Sequence, residues 1–359
     1  MDAYEQLRTK LAAHPMGAPE SESILEILRI LFDPEEAALA LHLPYKPARD
    51  SDVARQAGLS VDEVVKICEG LADRGLVYAF EARGRHFYML FPTAPGMYEF
   101  PFMKHGRLDL PFERLAELWD SYYTHGWGAE MTGRRTHMAR VIPIQESVAA
   151  QQTVLTFEEV AGYIDRARNI SLQDCACRVA FHRCDSPIDV CLAFDYGAKY
   201  LVERGMGRSI DREEAMAVLR RAREAGLVHM TSNTLDKVEF VCNCCTCCCG
   251  LLGTVTRLGG AAADIASNFF SSVKAEACLA CGLCLDYCPV GAITLDEVAV
   301  VDPERCIGCG LCAAHCPEGA LALVRRATTY EPPADYQAWL QQVAEEKGRV
   351  EAFRAHLPG

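Results

Sequence analysis

The side chains most able to do chemistry here are 19 cysteines among 359 residues, and their spacing sorts them into sets. Cys278-x2-Cys281-x2-Cys284-x3-Cys288-Pro289 recurs, 28 residues on (278 to 306), as Cys306-x2-Cys309-x2-Cys312-x3-Cys316-Pro317. The repeat continues through Val290-Gly291-Ala292 and Glu318-Gly319-Ala320, so it is a duplicated unit rather than a coincidence of composition. Three thiolates two residues apart wrap one corner of an iron–sulfur cubane, and a fourth, followed by a Pro that turns the chain away, reaches the neighbouring cluster. Structural zinc uses paired thiols, usually two plus two, and has no need of the third Cys and trailing Pro.

A second set is Cys175-x-Cys177-x6-Cys184-x6-Cys191, completed by the run Cys242-Asn243-Cys244-Cys245-Thr246-Cys247-Cys248-Cys249. Ten thiols in two short segments are candidate metal ligands rather than inert core. If a strand over 237–241 continues into the run, Cys242, Cys244 and Cys248 face one side and Cys245, Cys247 and Cys249 the other, each face joined by thiols from 175–191. Four thiolates make one cluster, so one or two further iron–sulfur clusters are expected in this region. A zinc knot, a noncubane cluster and a vicinal dithiol that itself exchanges electrons are the alternatives. Cys68 lies on the apolar stripe of a helix and reads as core, and His182 is given no ligand role.

Residues 274–325 resemble the two-cluster bacterial ferredoxins. That resemblance implies one 4Fe-4S cluster on Cys278, Cys281, Cys284 and Cys316 and a second on Cys306, Cys309, Cys312 and Cys288. Over most of its length the chain resembles a family of predicted 4Fe-4S binding proteins of anaerobic microbes. The shared features are a winged-helix-like front, a CxCR segment (Cys175-Ala176-Cys177-Arg178), a Gly-Leu-Val-His stretch (Gly226 to His229), the CNCCxCCC run and a ferredoxin-like end. The resemblance implies clusters without naming a substrate.

The elements that must hold these cysteines predict an α+β fold in several units. Residues 1–100 read as a winged-helix-like domain. Asp33-Pro34-Glu35-Glu36 opens a helix, one helix spans about 50–57 and stops at Gly58, and the capping box Ser60-x-x-Glu63 opens another that ends at Gly75. Two alternating runs, 76–80 and 87–91, then turn around Ala82-Arg83-Gly84-Arg85 as a hairpin does. Residues 101–155 form a connector of unknown fold in which Tyr122, Tyr123, His125 and Trp127 read as packing. Residues 156–272 form a Cys-rich α/β metal or cluster domain, entered by a helix from the capping box Thr156-x-x-Glu159. It also repeats the helix, Gly-Leu-Val and strand order of 60–91, as a second winged-helix-like unit would. Residues 273–326 form the two-cluster ferredoxin-like domain, and 327–359 a solvent-facing helical tail with Trp339, Val343, Val350 and Phe353 free to pack.

A net charge of −13 disfavours a nucleic-acid backbone as the main partner, and the helix over 61–74 carries Asp62, Glu63, Glu69 and Asp73 against Lys66 and Arg74. No apolar run reads as a signal peptide or membrane span, so the thiols are expected reduced in a cytoplasm. No Gly-rich nicotinamide or flavin fingerprint and no P-loop is present. The predicted role is an electron-transfer protein, or the electron-input subunit of an oxidoreductase, exchanging low-potential electrons with redox protein partners rather than acting as a stand-alone enzyme. The alternatives are a redox-sensing winged-helix transcription regulator and a reductase working at an open-site cluster in the Cys-rich region.

Overall fold

The computed structural model describes residues 1–152, 154 and 158–357, in which helices pack on antiparallel sheets. The front half forms where its caps direct. Asp33 accepts from the Glu36 amide at 2.8 Å while the Glu36 carboxylate accepts from the Asp33 amide at 2.9 Å, starting the helix Pro34–Ala40. The same reciprocal pair on Ser60 and Glu63 starts Val61–Asp73, and Asp50–Ala57 ends on Gly58 at φ 70°. Strands Val77–Ala82 and Arg85–Leu90 meet at a turn in which Arg83 and Gly84 both have positive φ, the twist that a two-residue hairpin needs. Ala48–Arg49 adds a short third strand beside Arg85–Leu90.

One core runs through Leu7, Ile27, Val64, Cys68, Leu71 and Tyr88, and it extends beyond the first hundred residues. Trp119, Tyr122 and Trp127 join it, with Tyr122 and Trp127 stacked at 6.0 Å, while His125 stays on the surface. The C-terminal helices Tyr336–Glu346 and Val350–Arg354 do not face solvent throughout, as expected, but fold back onto this core. Trp339, Val343 and Phe353 are buried in it, and Lys347 and Arg349 are pinned to Glu130. Three large apolar groups on one short tail gain more by burial than by exposure.

A six-stranded antiparallel sheet carries the Cys-rich region, in the order Ala139–Val141, Val228–Ser232, Phe240–Cys244, Asp189–Phe194, Ile170–Asp174, Arg208–Ile210. Its first strand comes from the segment read as a connector. Strands 228–232 and 240–244 lie inside this sheet, so the second winged-helix-like unit is not formed. Thr156, of the expected capping box, lies outside the described residues. The helix Val160–Arg166 stops short of the cysteines, and the strand Ile170–Asp174 carries the chain to Cys175. Helices Asp195–Glu203 and Arg212–Glu224 lie on the sheet, the second followed by Gly226 at φ 71°.

At the C-terminal end, Phe269–Val273 pairs with Leu321–Arg325 and Ile293–Leu295 with Ala299–Val301. Short helices Leu283–Asp286 and Leu311–Ala314 occupy equivalent places. Among the described residues no helix is long and apolar enough to cross a membrane.

Candidate metal centres

The C-terminal duplication is visible in the backbone. Ala280 and Gly308 (φ 52° and 67°), Gly282 and Gly310 (81° and 85°), and Gly291 and Gly319 (60° each) are left-handed at matching places of the two halves. These bends turn the thiols inward. Cys278, Cys281, Cys284 and Cys316 line one small cavity together with Leu279, Leu295 and Pro317. In the other half the buried thiols of Cys309 and Cys312 lie in the field of Cys306 and Cys288. Backbone amides point at sulfur in both halves, Ala292 to Cys288 Sγ at 3.1 Å and Ala320 to Cys316 Sγ at 3.3 Å. Amide donors to sulfur suit a cluster ligand. Tyr287 and His315, again equivalent in the repeat, stack at 3.6 Å where the halves meet.

The two halves differ in exposure. Cys281 is exposed, whereas Cys309 is buried, and burial holds its thiol well above the usual range. The reason lies in the neighbours: Ile307 and Gly308 run against Ser267 and Phe269, while the equivalent Leu279 is 70% exposed.

The ten middle thiols gather from strand ends and a turn, and they divide differently from the expected alternation. The strand Phe240–Cys244 ends within the run, Cys245 to Cys248 form a turn, and the helix Gly250–Thr256 follows, its first turn capped by Cys249 Sγ accepting from Leu252 N at 3.5 Å. Side-chain alternation fails once the strand ends. Cys248 therefore leaves Cys242 and Cys244, and Cys249 takes its place beside them.

One group is a closed ring of six thiols, each interacting with the next: Cys175, Cys177, Cys249, Cys244, Cys242, Cys191 and back to Cys175. The other is Cys184, Cys245, Cys247 and Cys248, whose sulfurs all lie within 4.8 Å of one another. Among the described residues these four are the one set of three or more Cys, His, Asp or Glu ligand atoms so close together. Among the described residues, no three thiols of the ring or of either C-terminal quartet lie so close together.

Sequence reasoning passed over the residues that build the floor between the two groups. Arg178 of the CxCR segment is 1% exposed; its Nη1 donates to the Asn243 carbonyl at 3.0 Å, and the guanidinium also interacts with the Cys245 sulfur. Burial alone would lower its guanidinium, but the fields of Cys175, Cys245 and Cys191 outweigh burial and hold it above its ordinary value. The same surroundings pull the Cys245 thiol down to about 4, first through Cys248. His229 and Asn243 pair across adjacent strands, His229 Nδ1 donating to the Asn243 side-chain oxygen, and burial pushes the imidazole below its ordinary value. The Tyr98 hydroxyl is buried and faces Cys177 of the ring. The quoted motifs contained Arg178, His229 and Asn243, but only the fold shows them meeting.

Residues 277–320 match the family described as 4Fe-4S dicluster domain. Over that stretch the chain is similar to 4Fe-4S dicluster domains. Neither the curated proteins nor the solved structures give a match. The dicluster domain and the Cys-rich middle are not isolated from each other: Cys244 and Cys249 of the ring share one apolar core with Ile307, Cys309 and Leu311. A cleft of about 1050 Å³ flanks the second half of the dicluster domain, lined by His137, Pro289, Val290, Arg305, Arg326 and Tyr330. Its guanidiniums are already used, Arg305 on the Val290 carbonyl and Arg326 on the carbonyls of Ser267, Pro303 and Cys306.

Proposed function

We propose that this protein relays low-potential electrons between redox protein partners in a reducing cytoplasm, entering or leaving through the dicluster domain and continuing into the Cys-rich middle. The observation that carries the reading is the unequal exposure of the two halves of the duplication. A relay needs one site open to a partner and the next one shielded.

Cys278, Cys281, Cys284 and Cys316 would hold the outer cluster, and Cys306, Cys309, Cys312 and Cys288 the inner one. The bound clusters supply one-electron chemistry at potentials set by hydrogen bonds to sulfur and by solvent access. What the chain contributes is amide donors at Cys288 and Cys316, burial around Cys309 and Cys312, and the shared core that joins Cys309 to the ring. A further cluster in the six-thiol ring fits the buried guanidinium of Arg178, which lies in the field of Cys175 and Cys191 and would balance anionic sulfur there.

A partner would dock over Cys281. Leu279, Leu283, Leu285, Leu295 and Val300 are exposed around it, among Glu276, Asp286, Asp296 and Glu297, so the complementary surface is apolar at its centre and basic at its rim. We read the front as a winged-helix-like docking module rather than a DNA reader. Its second helix has Glu69 and Asp73 held by Arg204 at 2.8 and 3.1 Å, and Tyr200 donates to the Ala72 and Val77 carbonyls. That face is engaged by the middle of the chain.

The test is iron and acid-labile sulfide per chain on protein purified without oxygen, with an electron paramagnetic resonance spectrum after dithionite. About twelve iron atoms with equal sulfide are expected, eight in the dicluster domain and four in the ring. Cys281→Ser should remove about four iron atoms and leave the signals of the remaining clusters in place. A count near eight would withdraw the ring, and a chain without iron and sulfide would sink the relay.

A further inference from the structure

The group Cys184, Cys245, Cys247 and Cys248 has a geometry that the relay does not require. Cys184 follows the helix Ala176–Phe181, and the other three come from the turn after the strand Phe240–Cys244. The sulfurs of Cys184 and Cys245 are 3.8 Å apart, as are those of Cys247 and Cys248, and all four lie within 4.8 Å of one another. Around a single tetrahedral ion with metal–sulfur bonds of about 2.3 Å, neighbouring sulfurs are separated by about 1.63 bond lengths, or about 3.8 Å. In a cubane each thiolate binds a different iron, and because the irons are themselves separated the thiolates must splay wider than this. A disulfide is ruled out at these lengths, since its sulfurs would lie about 2.05 Å apart.

We propose that these four thiols bind one divalent metal ion, zinc or ferrous iron, as a closed tetrahedral site separate from every cluster in the chain. Zinc is favoured, because it binds a given thiolate set more tightly than ferrous iron does. All four positions are filled by protein sulfur, so the ion is a staple with no vacancy for substrate. It ties the loop after Phe181 to the turn that presents Cys244 and Cys249 to the ring. Four thiolates around one divalent ion leave two net negative charges. Arg178 lies beside Cys245, and Arg183 donates to the Cys247 carbonyl at 3.3 Å and to Asp120 at 2.6 Å, fixing the loop from outside.

This proposal goes beyond the relay and stands apart from it. The experiment is X-ray absorption at the zinc and iron edges on the full-length protein purified without oxygen, combined with zinc, iron and sulfide counts for wild type, Cys184→Ser and Cys247→Ser. The expected result is one zinc per chain with four sulfur neighbours at about 2.3 Å and no nearby metal. Both variants should lose that zinc while iron, sulfide and the reduced spectrum stay unchanged. One iron atom in excess of sulfide, no zinc, and loss of only that iron in both variants would equally support the site and name its ion as iron. Iron and sulfide falling together by several atoms, or a metal neighbour around the zinc, would overturn it, as would variants that lose no metal. The wild-type spectra decide the matter even where a variant fails to fold. Zinc without iron would leave the staple standing and defeat the relay.

Discussion

The two Cys-rich regions of this molecule solve the placing of thiols in opposite ways. In the dicluster domain each half draws three thiols from one short loop, and the same left-handed bends recur at Ala280 and Gly308, Gly282 and Gly310, and Gly291 and Gly319. In the middle, ten thiols converge from two segments about sixty residues apart onto strand ends, a turn and a helix start. Local loops spread thiols around a cavity, whereas convergence from a distance yields both a tight knot and a wider ring. A cluster-sized space can thus be written into a dozen residues, but two different sites side by side need a sheet to bring the strands together.

The largest effect that would break this contrast is expected at Arg178. With metal bound, Arg178→Met removes a buried cation beside Cys175, Cys191 and Cys245, and losing one partner of a buried charge pair costs about 3–5 kcal/mol. Denaturant unfolding of the loaded protein without oxygen should report that loss, together with depletion of ring iron. With metal stripped, the loss should shrink but keep its sign, because the thiols of Cys175, Cys245 and Cys191 still hold the buried guanidinium. Equal destabilisation in both forms would mean that Arg178 serves packing alone.

The legibility of the sequence divides along the same line. The duplicated cysteines could be read because each ligand set is mostly local and its spacing is its geometry. The helix caps at Asp33 and Ser60 and the hairpin turn at Arg83-Gly84 were legible for the same reason. The partition of the ten middle thiols was not, because alternation places Cys248 with Cys242 and Cys244 only for as long as the strand runs, and it stops at Cys244. Nor could composition show that Trp339, Val343 and Phe353 return to a core begun by Leu7, or that Ala139–Val141 would edge a sheet. Those are long-range pairings, decided by which apolar faces remain to be covered.

A middling effect sharpens the comparison inside the duplication itself. A Cβ on Gly308 would lie 2.1 Å from the Phe269 carbonyl oxygen and 2.3 Å from Ser267 Oγ, at φ 67°. Strain at positive φ costs about 1–2 kcal/mol and the overlap adds a similar amount, so Gly308→Ala should destabilise by about 2–4 kcal/mol and disturb the inner cluster first. Ala280, its equivalent, already carries a Cβ at φ 52° because its loop faces outward. Ala280→Gly should change stability by less than about 1 kcal/mol. Thermal unfolding of the pair, followed at the iron–sulfur absorption, checks both. If the two substitutions had similar effects, the halves would not differ in burial as argued.

The smallest effect concerns how the front is attached to the middle. Arg204 reaches Glu69 at 2.8 Å and Asp73 at 3.1 Å, but the side chain of Asp73 is 61% exposed, so solvent screens much of the attraction. Arg204→Ala should therefore cost only about 1 kcal/mol, and less as salt is raised. The neighbouring Tyr200 is a different kind of tie. It is buried, its ring meets Tyr78 at 5.1 Å, and its hydroxyl donates to two carbonyls at the end of the helix Val61–Asp73 and the start of the hairpin. Tyr200→Phe keeps the ring and removes only the donor; the Ala72 carbonyl keeps its bond from the Gly75 amide, so the change should cost about 1 kcal/mol independent of salt. Unfolding of both variants at low and high ionic strength separates the contributions. A salt-dependent loss at Arg204 beside a salt-independent one at Tyr200 is the pattern of a front held mainly by packing. A large salt-dependent loss at Arg204 would instead make the acidic helix a charge-locked element, which an incoming polyanion or basic partner could release.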